Sequence, residues 1–189
     1  MTPPIRRVPK PGAGRAEIEQ LAERAGWSRY RTVQASGNTP FEIIWLTRDQ
    51  GATVHWIEGE LTPVHYVVVT GADTEPVLDV LRAGLDLYDD ASLAELFDGT
   101  RDGVRLMDAL NLLGVHCSGP FDPEMFALFR WALHDPEPVV RRVALMSAAN
   151  TGWEEFTPLM EYLRDHDPVV EVREDAEAIL AARSRGEDS

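Results

Sequence analysis

Hydrophobic and polar positions follow two different periods along the chain. Residues 14–27 carry apolar side chains at helical spacing, among them Ile18 and Leu21, and Gly26 stands where a C-cap glycine ends a helix. Four later segments are rich in β-branched and aromatic residues, which is typical of strands. These segments are 30–35, 41–47, 53–58 and 64–70. They predict an antiparallel four-stranded meander with one packed face.

The period becomes helical again from residue 74 onward, with helices predicted at 74–88, 91–97 and 104–113. A Gly- and Pro-containing segment at 114–120 interrupts this pattern. The sequence therefore predicts an α+β fold in which helical hairpins follow a sheet. The predicted regions are a flexible Pro-rich arm (1–13), a helix with a four-stranded antiparallel sheet (14–72), a helical connector (73–120), two helical repeats (121–183) and a disordered tail (184–189).

An internal repeat is the most specific signal in the chain. The tripeptide His-Asp-Pro at 134–136 recurs at 166–168, an offset of 32 residues. The pairs matched at the same offset are Leu128 with Met160, Trp131 with Leu163, Val140 with Val172, Arg141 with Arg173, and Ala144 with Ala176. A period of this length predicts stacked supersecondary units that bury their apolar faces against each other. Trp131 lies on the internal register of the repeat, so it is predicted to lie in the core.

This pattern of an apolar helix, Asp-Pro, Val-Arg in the next helix and Ala three residues later resembles HEAT repeats of the bacterial type. The resemblance covers roughly the last 60 residues, with a fainter echo at Val104-Arg105 that lacks the Asp-Pro. The resemblance implies a HEAT-like α-solenoid that presents side chains to protein partners. Two repeats are fewer than the ~3 usually needed for stability, so we expect the preceding helices to cap the stack.

Each repeated position has a physical role. Proline at 136 and 168 ends one helix and begins the next, where a missing N–H group costs little. Aspartate at 135 and 167 can accept hydrogen bonds from the free N–H groups of the second helix. Val140 and Ala144, with their repeat partners, are predicted to face the core. Arg141 and Arg173 are expected to hydrogen-bond an aspartate of a neighbouring repeat.

Charge narrows the class of partner. The chain has 32 acidic and 18 basic side chains, a formal net charge of -14, which disfavours nucleic acids and anionic membranes as partners. The first 35 residues carry a charge of +4 and the remainder -18. The segment 71–100, whose one basic residue is Arg82, is either a solvated helical face or a docking site for a basic partner.

The expected compartment is a reducing cytoplasm, because the one cysteine, Cys117, cannot form an internal disulfide. No segment reaches the ~18 to 20 apolar residues of a membrane span. The N-terminal segment is rich in proline instead of combining a basic start with an apolar run.

Three arrangements of histidine residues are candidate chemical sites. The His-Asp pairs at 134–135 and 166–167 invite a metal hypothesis, but the aspartates already have capping roles and no further His-acid pair completes a site. A hairpin turn about Glu58-Gly59-Glu60 would place His55 directly opposite His65, close enough to share a ligand. His116-Cys117 could pair a base with a nucleophile, although no orienting acid is identifiable. We therefore predict no catalytic residues, cofactor or metal.

The sequence favours a non-enzymatic scaffold or adaptor whose acidic HEAT-like surface docks a basic partner protein, with an inhibitor or immunity-type protein as a special case. The candidate contacts, chosen for expected exposure near the turns, are Glu137, Arg141, Arg142, Trp153, Glu154, Glu155 and Glu171. Two alternatives remain open. One is an enzyme that uses the sheet face around His55 and His65 with a small molecule or metal, and the other is a structural subunit of a homo-oligomer.

Overall fold

The fold is α+β, as predicted, with an antiparallel sheet in the first half of the chain and helices in the second. The structure is a computed structural model, and it describes residues 4–37, 39–59, 64–97 and 102–187. The chain divides into two compact units, Met1–Asp89 and Asp90–Ser189. This division falls inside the predicted connector 73–120, because the helix after the sheet packs into the core of the first unit.

The first unit is a five-stranded antiparallel sheet with two helices. Its elements are β1 (Ile5–Arg7), α1 (Arg15–Ala25), β2 (Ser28–Val33), β3 (Phe41–Leu46), β4 (Ala52–Glu58), β5 (His65–Gly71) and α2 (Glu75–Gly84). The strand order is β1-β5-β4-β3-β2, so β2 to β5 form the predicted meander. Residues 60–63, which include part of the predicted turn between β4 and β5, lie outside the described residues.

The N-terminal arm contributes the fifth strand, so the prediction of a flexible arm beside a four-stranded sheet was wrong for this segment. Ile5 pairs with Val69 and Arg7 pairs with Val67. Val8, directly after the strand, is 1% exposed. The short strand covers the outer edge of β5, where an uncovered strand would expose unpaired backbone groups. The first three residues of the arm lie outside the described part of the chain.

One face of the sheet forms the core of this unit. Alternate residues of β3, β4 and β5, such as Trp45 and Trp56, pack in one cluster with Ile18 of α1 and Leu78 of α2. Gly26 ends α1 in the left-handed conformation, with φ 71°, as the C-cap prediction requires. The opposite face of the sheet is half-buried and carries polar side chains among apolar ones.

The second unit consists of helices in its described residues. Its elements are α3 (Asp90–Glu95), α4 (Gly103–His116), α5 (Pro123–Ala132), α6 (Pro138–Ala149), a 3-10 helix (Glu154–Phe156), α7 (Thr157–His166) and α8 (Val170–Glu187). Helix α8 therefore continues into the predicted tail 184–189, of which residues 188 and 189 lie outside the described part.

Helices α4, α6 and α8 pack in a row, and α7 packs against α8. The backbones of α4 and α6 approach closely at Gly114, where an added Cβ would lie 2.6 Å from the carbonyl oxygen of Ser147. The predicted core positions Val140, Ala144 and Ala176 are all at most 1% exposed, as is Val172. The second helix of each predicted repeat therefore buries the face that the repeat pattern indicates.

Candidate docking surface

Five of the seven predicted contact residues are exposed, namely Glu137, Arg142, Glu154, Glu155 and Glu171. The other two, Arg141 and Trp153, are 7% and 4% exposed. Including them among the surface contacts was therefore wrong. Both side chains instead hold the helices of the second unit together.

Arg141 forms a buried ion pair between the two predicted repeats. Its Nε and Nη2 atoms donate to the two carboxylate oxygens of Asp167 at 2.7 and 2.8 Å. Its Nη1 atom donates to the carbonyl oxygens of Asp135 and Pro136 at 2.8 and 3.1 Å. The side chains of Arg141 and Asp167 are only 8% and 2% exposed. This contact confirms the expected hydrogen bond from Arg141 to an aspartate of the neighbouring repeat.

The ion pair shifts the titration of both groups. Burial raises the pKa of the Asp167 carboxyl, but the hydrogen bonds from Arg141 and from the Val169 N–H, together with nearby positive charge, outweigh it and hold that pKa below its ordinary value. The hydrogen bonds to Asp167 raise the pKa of Arg141 despite its burial. The pair is therefore charged at neutral pH and is a structural contact.

Trp153 belongs to an aromatic cluster between α5 and α7. Its ring stacks on that of Phe156 with centroids 6.0 Å apart and meets the ring of Phe121 edge-on with centroids 5.2 Å apart. The ring centroids of Phe129 and Phe156 are 5.3 Å apart. The indole N–H donates to the carbonyl of Gly119 at 2.8 Å. Because its polar atom is also satisfied, Trp153 acts as a buried anchor instead of an interface residue.

The hydrogen bonds of the first His-Asp-Pro turn recur at the second. Asp135 accepts from the N–H of Glu137 at 2.8 Å, and Asp167 accepts from the N–H of Val169 at 2.9 Å. Arg173 donates to the carbonyl of Asp167, as Arg141 does to that of Asp135. The aspartates thus fix the turn that leads into each second helix. Each accepts from a residue that precedes the helix, so the predicted capping of the helix's own N–H groups was wrong. The bond from Arg173 lies within its own repeat and not between repeats, as was expected for it.

The first helices of the two repeats match at an offset of 31 residues and not 32. The buried residues of α5 are Met125, Phe129 and Ala132, and the residues 31 positions later, Phe156, Met160 and Leu163, are also buried. One extra residue near the end of α7 restores the offset of 32 at the His-Asp-Pro turn. The predicted matches of Leu128 with Met160 and of Trp131 with Leu163 were therefore wrong.

This shift places two aromatic side chains on the surface. Trp131 is 52% exposed, and the residue 31 positions later, Tyr162, is 56% exposed. Trp131 was predicted to lie in the core because the offset of 32 aligned it with the buried Leu163. The sequence signal that could have found the true register is the helical spacing of apolar residues in α5. Met125, Phe129 and Ala132 match the apolar Phe156, Met160 and Leu163 at an offset of 31.

Among the described residues, no group of three or more potential metal ligands comes together at the His-Asp pairs or elsewhere. His134 and His166 are exposed, and each has its Nδ1 atom near the carbonyl oxygen four residues earlier, at 2.7 and 3.1 Å. Tyr162 stacks on His166 with ring centroids 4.7 Å apart. These histidines belong to the exposed turns.

His55 and His65 are not opposite each other, so the predicted pair does not form. His55 pairs with Val68, whereas His65 pairs with Glu58. The register differs because Glu58 pairs with His65 in the ladder, whereas the prediction placed Glu58 in the turn. The two histidines therefore project from opposite faces of the sheet, since neighbours across a ladder share a face and successive residues alternate.

His55 instead lies in a polar chain on the half-buried face of the sheet. Its Nδ1 atom is 2.7 Å from a carboxylate oxygen of Glu42, and its Nε2 atom is 2.8 Å from the hydroxyl of Thr53. That hydroxyl is 2.5 Å from the hydroxyl of Thr70. In a chain of this order the imidazole can accept a proton from the hydroxyl while the carboxylate orients the imidazole.

His116 and Cys117 do not form a reactive pair. Burial, with nearby Asp90 and Asp122, raises the pKa of the Cys117 thiol to about 12. His116 directs its Nε2 atom to a carboxylate oxygen of Asp90 at 2.8 Å. A thiol with so high a pKa carries almost no thiolate at neutral pH, which is the form that acts as a nucleophile.

Comparison with known proteins gives no relative, because no family model, curated protein or solved structure matches the chain. Among the described residues, no helix is long and apolar enough to cross a membrane.

Proposed function

We propose that the second unit is a HEAT-like helical stack that docks a basic partner protein through exposed carboxylates and performs no catalysis. The observation that carries this proposal is the excess of exposed carboxylates that have no basic partner within the unit. Residues 90–189 contain 20 acidic and nine basic side chains, a net charge of -11. Because arginines are already engaged inside the unit, its surface has an excess of carboxylates.

The engaged arginines lie along the row of helices. Arg142 pairs with Asp175 at 2.6 Å, and Arg164 pairs with Asp165 at 2.7 Å. Arg141 is buried against Asp167, and Arg183 donates to the carbonyl of Trp153. These cations stabilise the stack and leave little positive charge with which to neutralise the remaining acidic groups.

Nine exposed carboxylates of the second unit have no cation within ion-pair distance among the described residues. They are Glu95, Asp108, Glu124, Glu137, Glu154, Glu155, Glu161, Glu171 and Glu174. Such a surface attracts a basic partner and speeds its association, and the attraction falls as salt screens it. Helical stacks with repeated hydrogen bonds present rigid surfaces of this kind, which supports the HEAT-like interpretation.

The test is affinity capture of the tagged protein from its native cells at low and high salt, followed by mass spectrometry. The decisive variant is Glu154→Lys/Glu171→Lys. A matched control is Glu23→Lys/Asp73→Lys, which changes the net charge equally at exposed positions of the first unit. We expect one basic protein to be retained at low salt, lost with the first variant and kept with the control. Equal binding by both variants would contradict the proposal.

A reducing cytoplasm is the compartment that we propose. The single cysteine is buried and free, so the fold uses no disulfide among its described residues. Fractionation of native cells would test this placement, and recovery of the protein outside the cytoplasm would refute it.

The chain of Glu42, His55 and Thr53 supports a second candidate function, binding and conversion of a small molecule on the sheet face. A ligand there would meet a hydroxyl next to an imidazole that a carboxylate orients. Native mass spectrometry of the purified protein tests this candidate. A stoichiometric bound metabolite that is lost in a His55→Asn variant would favour it over partner docking.

A further inference from the structure

The outer sides of α5 and of the α7 segment repeat an arrangement of aromatic and acidic residues. Trp131 and Tyr162 occupy equivalent positions in the two first helices, and each is more than half exposed. Seven residues before each of them, Glu124 and Glu155 are also exposed. Glu124 and Trp131 are about two turns apart on α5, so carboxylate and ring lie on the same side of that helix. Glu155 lies in the 3-10 helix that leads directly into α7, the helix that carries Tyr162.

Small residues separate the acid from the ring in both copies. Ala127 lies four residues before Trp131, and Pro158 lies four residues before Tyr162, and both are exposed. A shallow cavity of about 370 Å³ adjoins the indole ring, lined in part by Ala127, His134 and Pro136. We define the aromatic stripe as Glu124, Ala127, Trp131, Glu155, Pro158 and Tyr162.

We propose that the aromatic stripe binds arginine side chains of a partner protein, with guanidinium groups over the two rings and paired to the two glutamates. This inference rests on the proposed function and specifies which face and which basic residue it uses. A guanidinium is planar and weakly hydrated, so it can stack on an aromatic ring and bind a carboxylate in the same complex. A neutral apolar partner would leave both glutamates unpaired.

The chain leaves these two rings available for a cation. In the described residues, guanidinium or ammonium groups lie over Tyr66, Tyr88 and Phe41, all in the first unit, at 5.9, 5.8 and 4.0 Å. No such contact involves Trp131 or Tyr162 in that part of the chain. His166 covers one face of Tyr162, so its other face is the one offered to a partner.

Binding is measured with a defined probe, a short fluorescent peptide in which arginine alternates with serine. The neutral comparison peptide has citrulline in place of arginine. We expect Trp131→Ala and Tyr162→Ala each to weaken binding about threefold, and the double variant to weaken it about tenfold. Citrulline should weaken it further, because both the ring contacts and the ion pairs lose the positive charge.

The matched control removes two equally exposed apolar side chains elsewhere in the same unit, in a Val104→Ala/Met146→Ala variant. It should bind like the wild type. Circular dichroism melting of each variant shows whether it is folded. Equal loss in the control and the aromatic double variant would overturn the inference, as would equal binding of the citrulline peptide.

A gain of affinity provides an independent test. Arg130 lies beside Trp131, whereas the equivalent residue of the second copy is the exposed Glu161. Arg130→Glu makes the first copy like the second, so we expect the arginine peptide to bind several-fold more tightly. Glu124→Gln/Glu155→Gln should instead reduce the salt dependence of binding, while the aromatic double variant leaves it unchanged. No gain with Arg130→Glu would count against the stripe.

Failure of this inference and failure of the proposed function give different results. If a basic partner is captured and Glu154→Lys/Glu171→Lys releases it, while the aromatic double variant still holds it, the stripe is wrong and the docking function stands. If none of these variants changes capture or peptide binding, both are wrong.

Discussion

At the scale of single residues, Arg141 and Arg142 are neighbours in sequence with different surroundings. The side chain of Arg141 is buried against Asp167, whereas the side chain of Arg142, which pairs with Asp175, is 45% exposed. Arg141→Met leaves a buried carboxylate without its cation, so we expect the free energy of unfolding to fall by about 3 to 5 kcal/mol. Arg142→Met should cost less than about 1 kcal/mol. Urea denaturation at neutral pH measures both, and equal losses would contradict this assignment.

The same pair predicts a pH dependence. The pKa of Asp167 is lower in the folded chain than its ordinary value, so its contribution is complete above the unfolded pKa of about 4. The contribution is lost as pH falls through the folded pKa. The stability difference between wild type and Arg141→Met should therefore shrink below about pH 4. Urea titrations from neutral to acidic pH would show a constant difference if the assignment is wrong.

The repeat pattern predicted the chemistry of individual residues better than their exposure. It gave the hydrogen bond between Arg141 and an aspartate of the next repeat, yet the same arginine was also placed among the surface contacts. Trp153 was assigned to the surface, but it packs among Phe121, Phe129 and Phe156. Trp131 was assigned to the wrong environment, because one extra residue in α7 makes the first helices match at an offset of 31 and not 32. A single-residue difference of this kind cannot be recovered from the spacing of the His-Asp-Pro turns alone.

At the scale of elements, the crossing of α4 and α6 depends on the missing side chain of Gly114. An added Cβ would meet backbone atoms of Ser147 at 2.6 and 2.8 Å, and backbone cannot rotate away as a side chain can. We expect Gly114→Ala to lower the free energy of unfolding by about 1 to 3 kcal/mol. Gly103→Ala at the start of the same helix has open space around it and should cause no loss. Thermal unfolding compares the two.

Most elements could be predicted from local pattern, and the exceptions have physical causes. Runs of β-branched residues identified β3, β4 and β5, because such side chains suit a packed sheet. Strand β1 was missed because three residues in a Pro-rich segment carry no alternating pattern. The relation of His55 to His65 was missed because strand register depends on the length of a turn, which periodicity does not encode.

At the scale of the whole molecule, each compact unit has its own buried core. We expect a fragment of residues 90–189 to fold by itself and to unfold cooperatively on heating. Its net charge of -11 is self-repelling, so added salt should raise its melting temperature. Circular dichroism at low and high salt measures both effects. A fragment without a cooperative transition would show that the unit depends on the rest of the chain.

The net charge and the length of the repeat are properties of the sequence itself. They limit the proposed partner to the class of basic proteins. They do not give the face that a partner meets, because that face depends on which side of each helix is turned outward. Trp131 and Tyr162 illustrate this limit, since the exposure of both rings is seen in the burial of α5 and α7 and was not predicted from the sequence.

The buried thiol of Cys117 gives the chain a practical property. With its pKa raised to about 12, the native sulfur should react very slowly with maleimide or iodoacetamide at neutral pH. A cysteine introduced at the exposed Ala127 would then be the preferred point of attachment for a dye or a photo-crosslinker, without first removing the native one. Spectroscopic or crosslinking probes could thus be placed beside Trp131 in an otherwise unaltered protein.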